Sequence, residues 1–485
     1  MTEITIQPGL FQSTWESLRQ FQCPDWFRNA KFGIWSHWGP QSVPMYGDWY
    51  ARQLYIEGHD QYRYHIRKFG HPSKFGYKDV VKLWKAEKFD PDGLMSLYVE
   101  AGAKYFVAQA AHHDNFHNWN SSQHKWNSVN IGPKKDILAL WQNAAQKAGL
   151  PFGFSEHMGA TFSWYVPNKG ADKTGPYAGI PYDGNDPAYE DLYLPNKGAK
   201  GLQDGEWYTS NPWWHARWFS YVKELIDVFH PDLLYSDGGV PFGQYGLNAI
   251  AHLYNTSANL HGGVNQAVYT QKDKNVDVLS VGVYDIERSQ TPDIFPFIWQ
   301  TDTSVGDWFY NVRDMYKTPK QVAEMLVDIV SKNGNLLLNI PQRPDGTLDD
   351  ECTYLLQRTA AWIKVNGEGI YGTRPWKVAG EGPSTVSIEG FKEDAVNWTA
   401  EDFRFTSKGP VVYAFLMKWP EGGKGDTDHR TVVRSLATGN VPAVQGVTLL
   451  GVGPVSFEQT SRGLAVSLTE QKPCEYVQCI RVGFE

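Results

Sequence analysis

Cysteine is scarce: Cys23, Cys352, Cys474 and Cys479 are the only four in 485 residues, which excludes a disulfide-built scaffold. Only the last two lie close together, at neither CxxC nor zinc-finger spacing, so the four read as small core residues. Long apolar runs are missing too. None approaches the roughly 20 residues that cross a bilayer, and residues 1–13 lack the charged-then-apolar layout of a signal peptide. The sequence predicts a soluble protein and leaves its compartment open, secreted or periplasmic if a leader was cleaved ahead of residue 1. There is no basic block, and the net charge of -8 is spread along the chain. Neither nucleic acid nor an anionic membrane surface is therefore an expected partner. Nothing in the pattern indicates an oligomeric state.

What the chain has in excess is aromatic residues, 14% of the total with 20 tryptophans. Most belong in a core, but an indole also offers a flat apolar face with a polar edge, suited to the faces and hydroxyl rims of sugars. The length suits a barrel of about 250 residues or more with a second domain. Short apolar runs at 31–35, 104–109, 152–155, 233–235, 267–270, 279–284 and 335–340 alternate with helical patterns at 135–148, 213–229, 319–332 and 349–366. That alternation predicts a parallel α/β fold, a (β/α)8-like barrel, over residues 1–370. From Trp376 onward the helical period disappears, and runs such as 411–419 and 463–469 predict a C-terminal antiparallel β-sandwich domain over 371–485. Between 159 and 207 a stretch rich in Gly, Pro, Tyr and Asp is too long for an ordinary connection and reads as a binding insertion or lid.

Chemistry gathers where the strands end. The apolar run Leu233-Leu234-Tyr235 leads through Ser236 to Asp237 and two glycines, which either makes that carboxylate the cap of the next helix or places it at the carboxyl edge of a barrel, where catalytic groups converge. His37 follows the first strand, and His112, His113 and His117 follow the second. The pair Glu156-His157 follows the third, and Asp285-Ile286-Glu287-Arg288 follows the 279–284 run. Asp48, beside Trp49, either caps the helix after it or accepts hydrogen bonds from a ligand. The histidines offer two readings: a metal site, which lacks helical i, i+4 spacing, or a neutral hydrogen-bonding shelf for hydroxyl groups.

Taken together, WFRNAKFGIWSHWG, AHHDNFHNW, PDLLYSDGG, WQTDTS and SKNGNLLLNIPQRPDG, in that order over nearly the whole chain, resemble the retaining α-L-fucosidases of glycoside hydrolase family 29. The resemblance implies that Asp237 is the nucleophile and that His37, His112 and His113 hold the sugar. Asp48-Trp49 stands where the family commonly has Glu-Trp, one methylene longer. In some members the general acid belongs to a Trp-Glu pair, which here is Trp299-Gln300, and glutamine donates no catalytic proton. The acid/base is therefore expected at Glu287, with Glu156 second and Asp302 third.

The expected catalytic pair is Asp237 and Glu287. The expected sugar-binding set is His37, Asp48, Trp49, His112, His113, Glu156, His157, Tyr235, Arg288 and Trp299, with no metal, no cofactor and no cationic anchor. The expected partner is a fucosylated oligosaccharide or glycoconjugate. Two other classes remain open: a metal-dependent hydrolase built on His112, His113 and His117, and a non-catalytic carbohydrate-binding protein.

Overall fold

Eight short runs become eight parallel strands: β1 (Phe32–Ser36), β2 (Tyr105–Ala111), β3 (Phe152–Glu156), β4 (Leu233–Ser236), β5 (Val268–Gln271), β6 (Val283–Glu287), β7 (Trp299–Ser304) and β8 (Gly334–Asn339). Each pairs with the next and β8 with β1, which closes the barrel in this computed structural model. The structure describes residues 5–388, 396–420 and 429–484, apart from the side chains of 276 and 277. Every strand except β6 is buried along its whole length. A parallel sheet covered by helices has no solvent face, so it needs unbroken burial rather than alternation. Among the described residues no helix is long and apolar enough to cross a membrane.

The structure moves one predicted element. Residues 279–284 do not form a strand; Val276–Leu279 is a short helix, and β6 begins only at Val283, in register with Thr270. Asp285, Ile286 and Glu287 thus lie inside the strand, and Glu287 pairs in register with Asp302. The polar strand β7, WQTDTS, has no apolar period to betray it. Its Gln300 is instead satisfied within the barrel, donating to Asp285 Oδ2 at 2.6 Å and accepting from Tyr105 Oη–H at 2.7 Å.

Side-chain capping sets the helix starts. Asp136 Oδ1 accepts from Ala139 N ahead of Ile137–Lys147, Asp349 Oδ1 from Cys352 N ahead of Asp350–Asn366, and Thr318 with Gln321 forms a capping box ahead of Pro319–Ser331. Ten of the 20 tryptophans, Trp35, Trp141 and Trp299 among them, are fully buried.

The C-terminal strands make two antiparallel sheets: β9 (Arg374–Glu381), β10 (Phe403–Lys408), β11 (Val411–Leu416), β13 (Val444–Leu449), β14 (Gly453–Pro454) and β17 (Gln478–Phe484) in one, and β12 (Arg430–Val433), β15 (Phe457–Thr460) and β16 (Gly463–Ser467) in the other. Phe403, Leu416, Val447 and Ile480 of the first share one core with Val433, Leu464 and Val466 of the second, which makes the pair a sandwich. Asp328, on the barrel helix Pro319–Ser331, joins the two parts: buried to 1% exposure, it accepts from Arg404 Nε of β10 at 2.5 Å and from Lys332 Nζ at 2.9 Å. Asp328→Ala leaves two buried cations without their shared partner, so urea unfolding should show a loss of about 3–5 kcal/mol. An unchanged midpoint would mean that water replaces the carboxylate.

Candidate active site

Strand parity determines which side chains meet. On a strand, alternate residues face opposite sides, and Trp35 with His37, Tyr235 with Asp237, Asp285 with Glu287 and Gln300 with Asp302 all project into the barrel. Trp35 Nε1 donates to Ser155 Oγ across the interior at 3.2 Å, and Tyr235 Oη donates to Asp302 Oδ2 at 2.8 Å. Above them, at the carboxyl ends of the strands, opens a cavity of about 180 Å³. Its walls are Trp35, His37, Asp48, Trp49, His112, His113, His157, Trp207, Tyr235, Asp237, Gly238, Lys272, Glu287, Asp302 and Trp308.

Two backbone features shape the rim. Gly238, at φ +115°, turns the chain just after Asp237, and a Cβ there would lie 2.2 Å from the Tyr208 hydroxyl. Trp49 adopts φ 59°, unusual for a bulky residue, and its N–H donates to Asp48 Oδ1 at 2.7 Å. Asp48 thus braces the turn that presents the indole and does not cap the helix Tyr50–Gln53, whose cap residue is Trp49.

The centre of the cavity is ionic. Lys272 Nζ lies 2.8 Å from Asp237 Oδ1, 2.7 Å from Glu287 Oε2 and 3.6 Å from Asp302 Oδ2. His113 Nε2 and His157 Nδ1 each lie 3.4 Å from Asp237 Oδ2. Burial opposes ionisation of Asp237, but the Lys272 ammonium and the two imidazoles outweigh it and hold this carboxyl well below the usual range. Glu287 goes the other way. Burial pushes its carboxyl up, with Asp302 and Asp237 adding to the rise and Lys272 opposing it. Environment thus drives two neighbouring carboxyl groups apart, one towards the anion and one towards the acid. Burial, reinforced by Asp307, also pushes Asp48 well up.

The imidazoles are oriented from behind. Gln41 accepts from Ala51 N through Oε1 at 3.1 Å, so its amide nitrogen donates to His112 Nδ1 at 2.8 Å and the ring carries its proton on Nε2, towards the cavity. His113 Nδ1–H donates to the His157 carbonyl at 2.6 Å. Both ring nitrogens of His37 are buried without a protein partner, and burial among the other histidines keeps His37 and His112 well below the ordinary imidazole pKa. Neutral rings that both donate and accept suit hydroxyl groups.

Three residues of the predicted binding set do not reach the cavity. Glu156 has the wrong parity: it points out of the barrel, where Trp218 Nε1 at 3.0 Å, Ser236 Oγ at 2.5 Å and Met158 N at 2.9 Å all donate to its carboxylate. Arg288 turns away at φ 44°, donates to the Gly306 carbonyl and stacks at 4.9 Å on Trp308, the indole that walls the cavity. Trp299 opens β7 at the opposite end of the barrel and donates to the Lys332 carbonyl at 2.9 Å. His117 is also absent, stacked on Trp119 at 3.9 Å. The three rings whose nitrogens converge are instead His112, His113 and His157.

Sequence reasoning missed Lys272, Trp207 and Trp308, and ranked Asp302 low. Lys272 directly follows β5, so the strand-end rule that found Asp237 would have found it too. Contrary to expectation, the cavity therefore holds a cation.

A sugar offers hydroxyl groups and apolar C–H faces, which tryptophan walls and inward imidazoles and carboxylates match; above a parallel barrel, that match defines the class as a glycoside hydrolase. Comparison with known proteins carries the assignment further. Residues 1–368 match the family Alpha-L-fucosidase, and residues 396–483 match the Alpha-L-fucosidase C-terminal domain. The tissue alpha-L-fucosidase of Homo sapiens is 29% identical over 96% of this chain and 89% of its own length. The alpha-L-fucosidase of Branchiostoma floridae is 27% identical over 97% of this chain and 95% of its own length. Among solved structures, the Thermotoga maritima alpha-fucosidase in complex with fucose aligns with a TM-score of 0.74 at 25% identity, covering 97% of this chain and 99% of that one. The chain belongs to the alpha-L-fucosidase family, glycoside hydrolase family 29.

Proposed function

We propose that this fucoside hydrolase removes terminal α-L-fucose from oligosaccharides or glycoconjugates with retention of configuration, by double displacement. Asp237 attacks the anomeric carbon while Glu287 gives its proton to the departing glycosidic oxygen, so that a fucosyl ester on Asp237 forms as the bond to the leaving group breaks. Glu287, now ionised, takes a proton from water as that water attacks the same carbon and releases Asp237. His37, His112, Asp48 and Trp49 hold the sugar.

One observation carries this reading: a single ammonium touches both carboxylates, at 2.8 and 2.7 Å. The two oxygens it touches, Asp237 Oδ1 and Glu287 Oε2, can be no further apart than those contacts laid end to end. That meets the separation of about 5–5.5 Å for a retaining pair and falls short of the roughly 6.5–9.5 Å that leaves room for an inverting water. Gln300 supports it by its position, since it lies below the cavity, bonded to Asp285 and Tyr105, and takes no acid from the site. The test is proton NMR of an aryl α-L-fucoside during early turnover. α-L-Fucose should appear before its β anomer; β first would overturn retention, and no turnover would overturn the substrate.

Lys272 gives a prediction in pH. Replacing its ammonium by Lys272→Met removes the cation that opposes burial at both carboxyls, so both pKa values rise. The acid limb of kcat/KM, set by loss of the Asp237 anion, should move up by roughly 1–3 pH units, and the basic limb, set by loss of the Glu287 proton, should move up with it. A pH–rate profile with an unmoved acid limb would remove Lys272 from the control of Asp237.

A further inference from the structure

A second cavity, of about 770 Å³ against about 180 Å³ for the sugar site, lies between residues 52–57 and the insertion at 159–207. Arg52, Lys169, Lys173 and Lys197 surround it, with Glu57 as the one carboxylate in its wall. That carboxylate is already committed: Glu57 accepts from Lys173 N at 2.6 Å, from Thr174 N at 3.1 Å and from the Thr174 hydroxyl. None of the four side-chain cations forms an ion pair among the described residues, although the chain as a whole carries a charge of -8. Their hydrogen bonds go only to neutral acceptors, Arg52 to the Trp164 carbonyl and Gln203 Oε1 and Lys169 Nζ to the Gly184 carbonyl at 2.5 Å, so four like charges around one space repel one another, a cost that an anion placed among them would relieve. Lys169 is partly buried, and that burial, opposed by Glu190 and Asp183 and reinforced by Lys197, lowers its ammonium to about 8.

The rest of the wall selects among anions. Ile56, Val166 and Pro167 form an apolar floor, and the volume lies within the range of about 300–1,000 Å³ typical of organic ligand sites. Inorganic anions need no such floor, whereas sugar rings have apolar C–H faces to lay on it. The cavity also backs onto the sugar site: Arg52 donates to the Trp164 carbonyl, and the Trp164 ring packs 5.9 Å from Trp49 and 5.4 Å from His113. From this juxtaposition of cations without a carboxylate partner, apolar floor and neighbouring sugar site, we infer that the cavity binds an acidic oligosaccharide, its charge borne by sulfate esters or carboxylates. This binding is separate from turnover and stands whether or not the double displacement holds.

The test is calorimetric titration of the full chain with four probes: a sulfated carrageenan tetrasaccharide, its desulfated counterpart, a tetragalacturonate and inorganic sulfate. At least one acidic tetrasaccharide should bind, more weakly as salt rises, and the neutral counterpart should not. Lys169→Gln/Lys173→Gln/Lys197→Gln should weaken that binding on the order of tenfold or more, with hydrolysis of a neutral aryl α-L-fucoside unchanged. As a charge control, Lys82→Gln/Lys88→Gln/Lys147→Gln, which removes three lysines paired with Asp79, Asp345 and Asp92, should leave binding intact. If the first triple variant folds poorly, the reversals Lys173→Glu and Lys197→Glu, each at an exposed residue, should each weaken binding. The inference is overturned if neither acidic tetrasaccharide binds, if the neutral one binds equally, if inorganic sulfate binds as tightly, or if both triple variants weaken binding alike.

Discussion

Asp237→Ala is expected to lower turnover of an aryl α-L-fucoside by on the order of 10⁴-fold or more, because the covalent step then has no nucleophile. The fold should survive. Lys272 keeps Glu287 at 2.7 Å and Asp302 at 3.6 Å, so removing Asp237 strands no buried cation, and thermal unfolding should move little. Azide should restore part of the activity by occupying the vacated space and attacking the anomeric carbon from the face Asp237 used. The rescued product should then be the β-L-fucosyl azide. Near-normal activity, or rescue that yields the α-azide, would take the nucleophile's role from Asp237.

Glu287→Ala should be selective in what it damages. A sugar leaving group must be protonated as it departs, so hydrolysis of natural α-fucosides should fall by roughly 10²–10⁴-fold. A 2,4-dinitrophenyl fucoside leaves without help, so its fucosyl-enzyme should still form and accumulate for want of a base. Azide, which needs no deprotonation, should then release the α-L-fucosyl azide, opposite in configuration to the product from Asp237→Ala. Glu156→Ala is the comparison. Its carboxylate is held by Trp218, Ser236 and Met158 outside the cavity, so it should affect both substrates in similar proportion through the packing of β3. Leaving-group dependence at Glu156 and not at Glu287 would reverse the assignment.

These experiments rest on unequal shares of sequence and structure. The strand-end position of Asp237 was legible from local chemistry, a buried apolar run ending in a carboxylate and then glycines that permit the turn, but the same pattern also suits a helix cap, and its part as nucleophile came only with the resemblance. The edge position of Glu287 was legible although its strand begins later than the pattern suggests, because both placements leave it at the carboxyl edge; its part as acid/base came from the resemblance. The pattern was weaker where strands are polar. β7 carries no hydrophobic period, so Asp302 received too little weight and Trp299 too much, although Asp302 in the cavity stands only three positions after Trp299 at the far end of the barrel.

The barrel, the sandwich after it and the set of strand ends from which a site would be drawn follow from the sequence by itself, since burial of apolar runs and helical periods are local properties that neighbouring residues set. Which of those ends face one another is a property of closure. One step along β3 separates Glu156, turned out against a helix, from His157, turned in against Asp237, and parity within a closed sheet decides between them. Only the tertiary structure could bring Lys272, 35 residues beyond Asp237 and 15 before Glu287, to stand between those two carboxylates. The strand-end rule puts this ammonium at the rim, but that it faces two anions instead of water is decided only when the sheet closes.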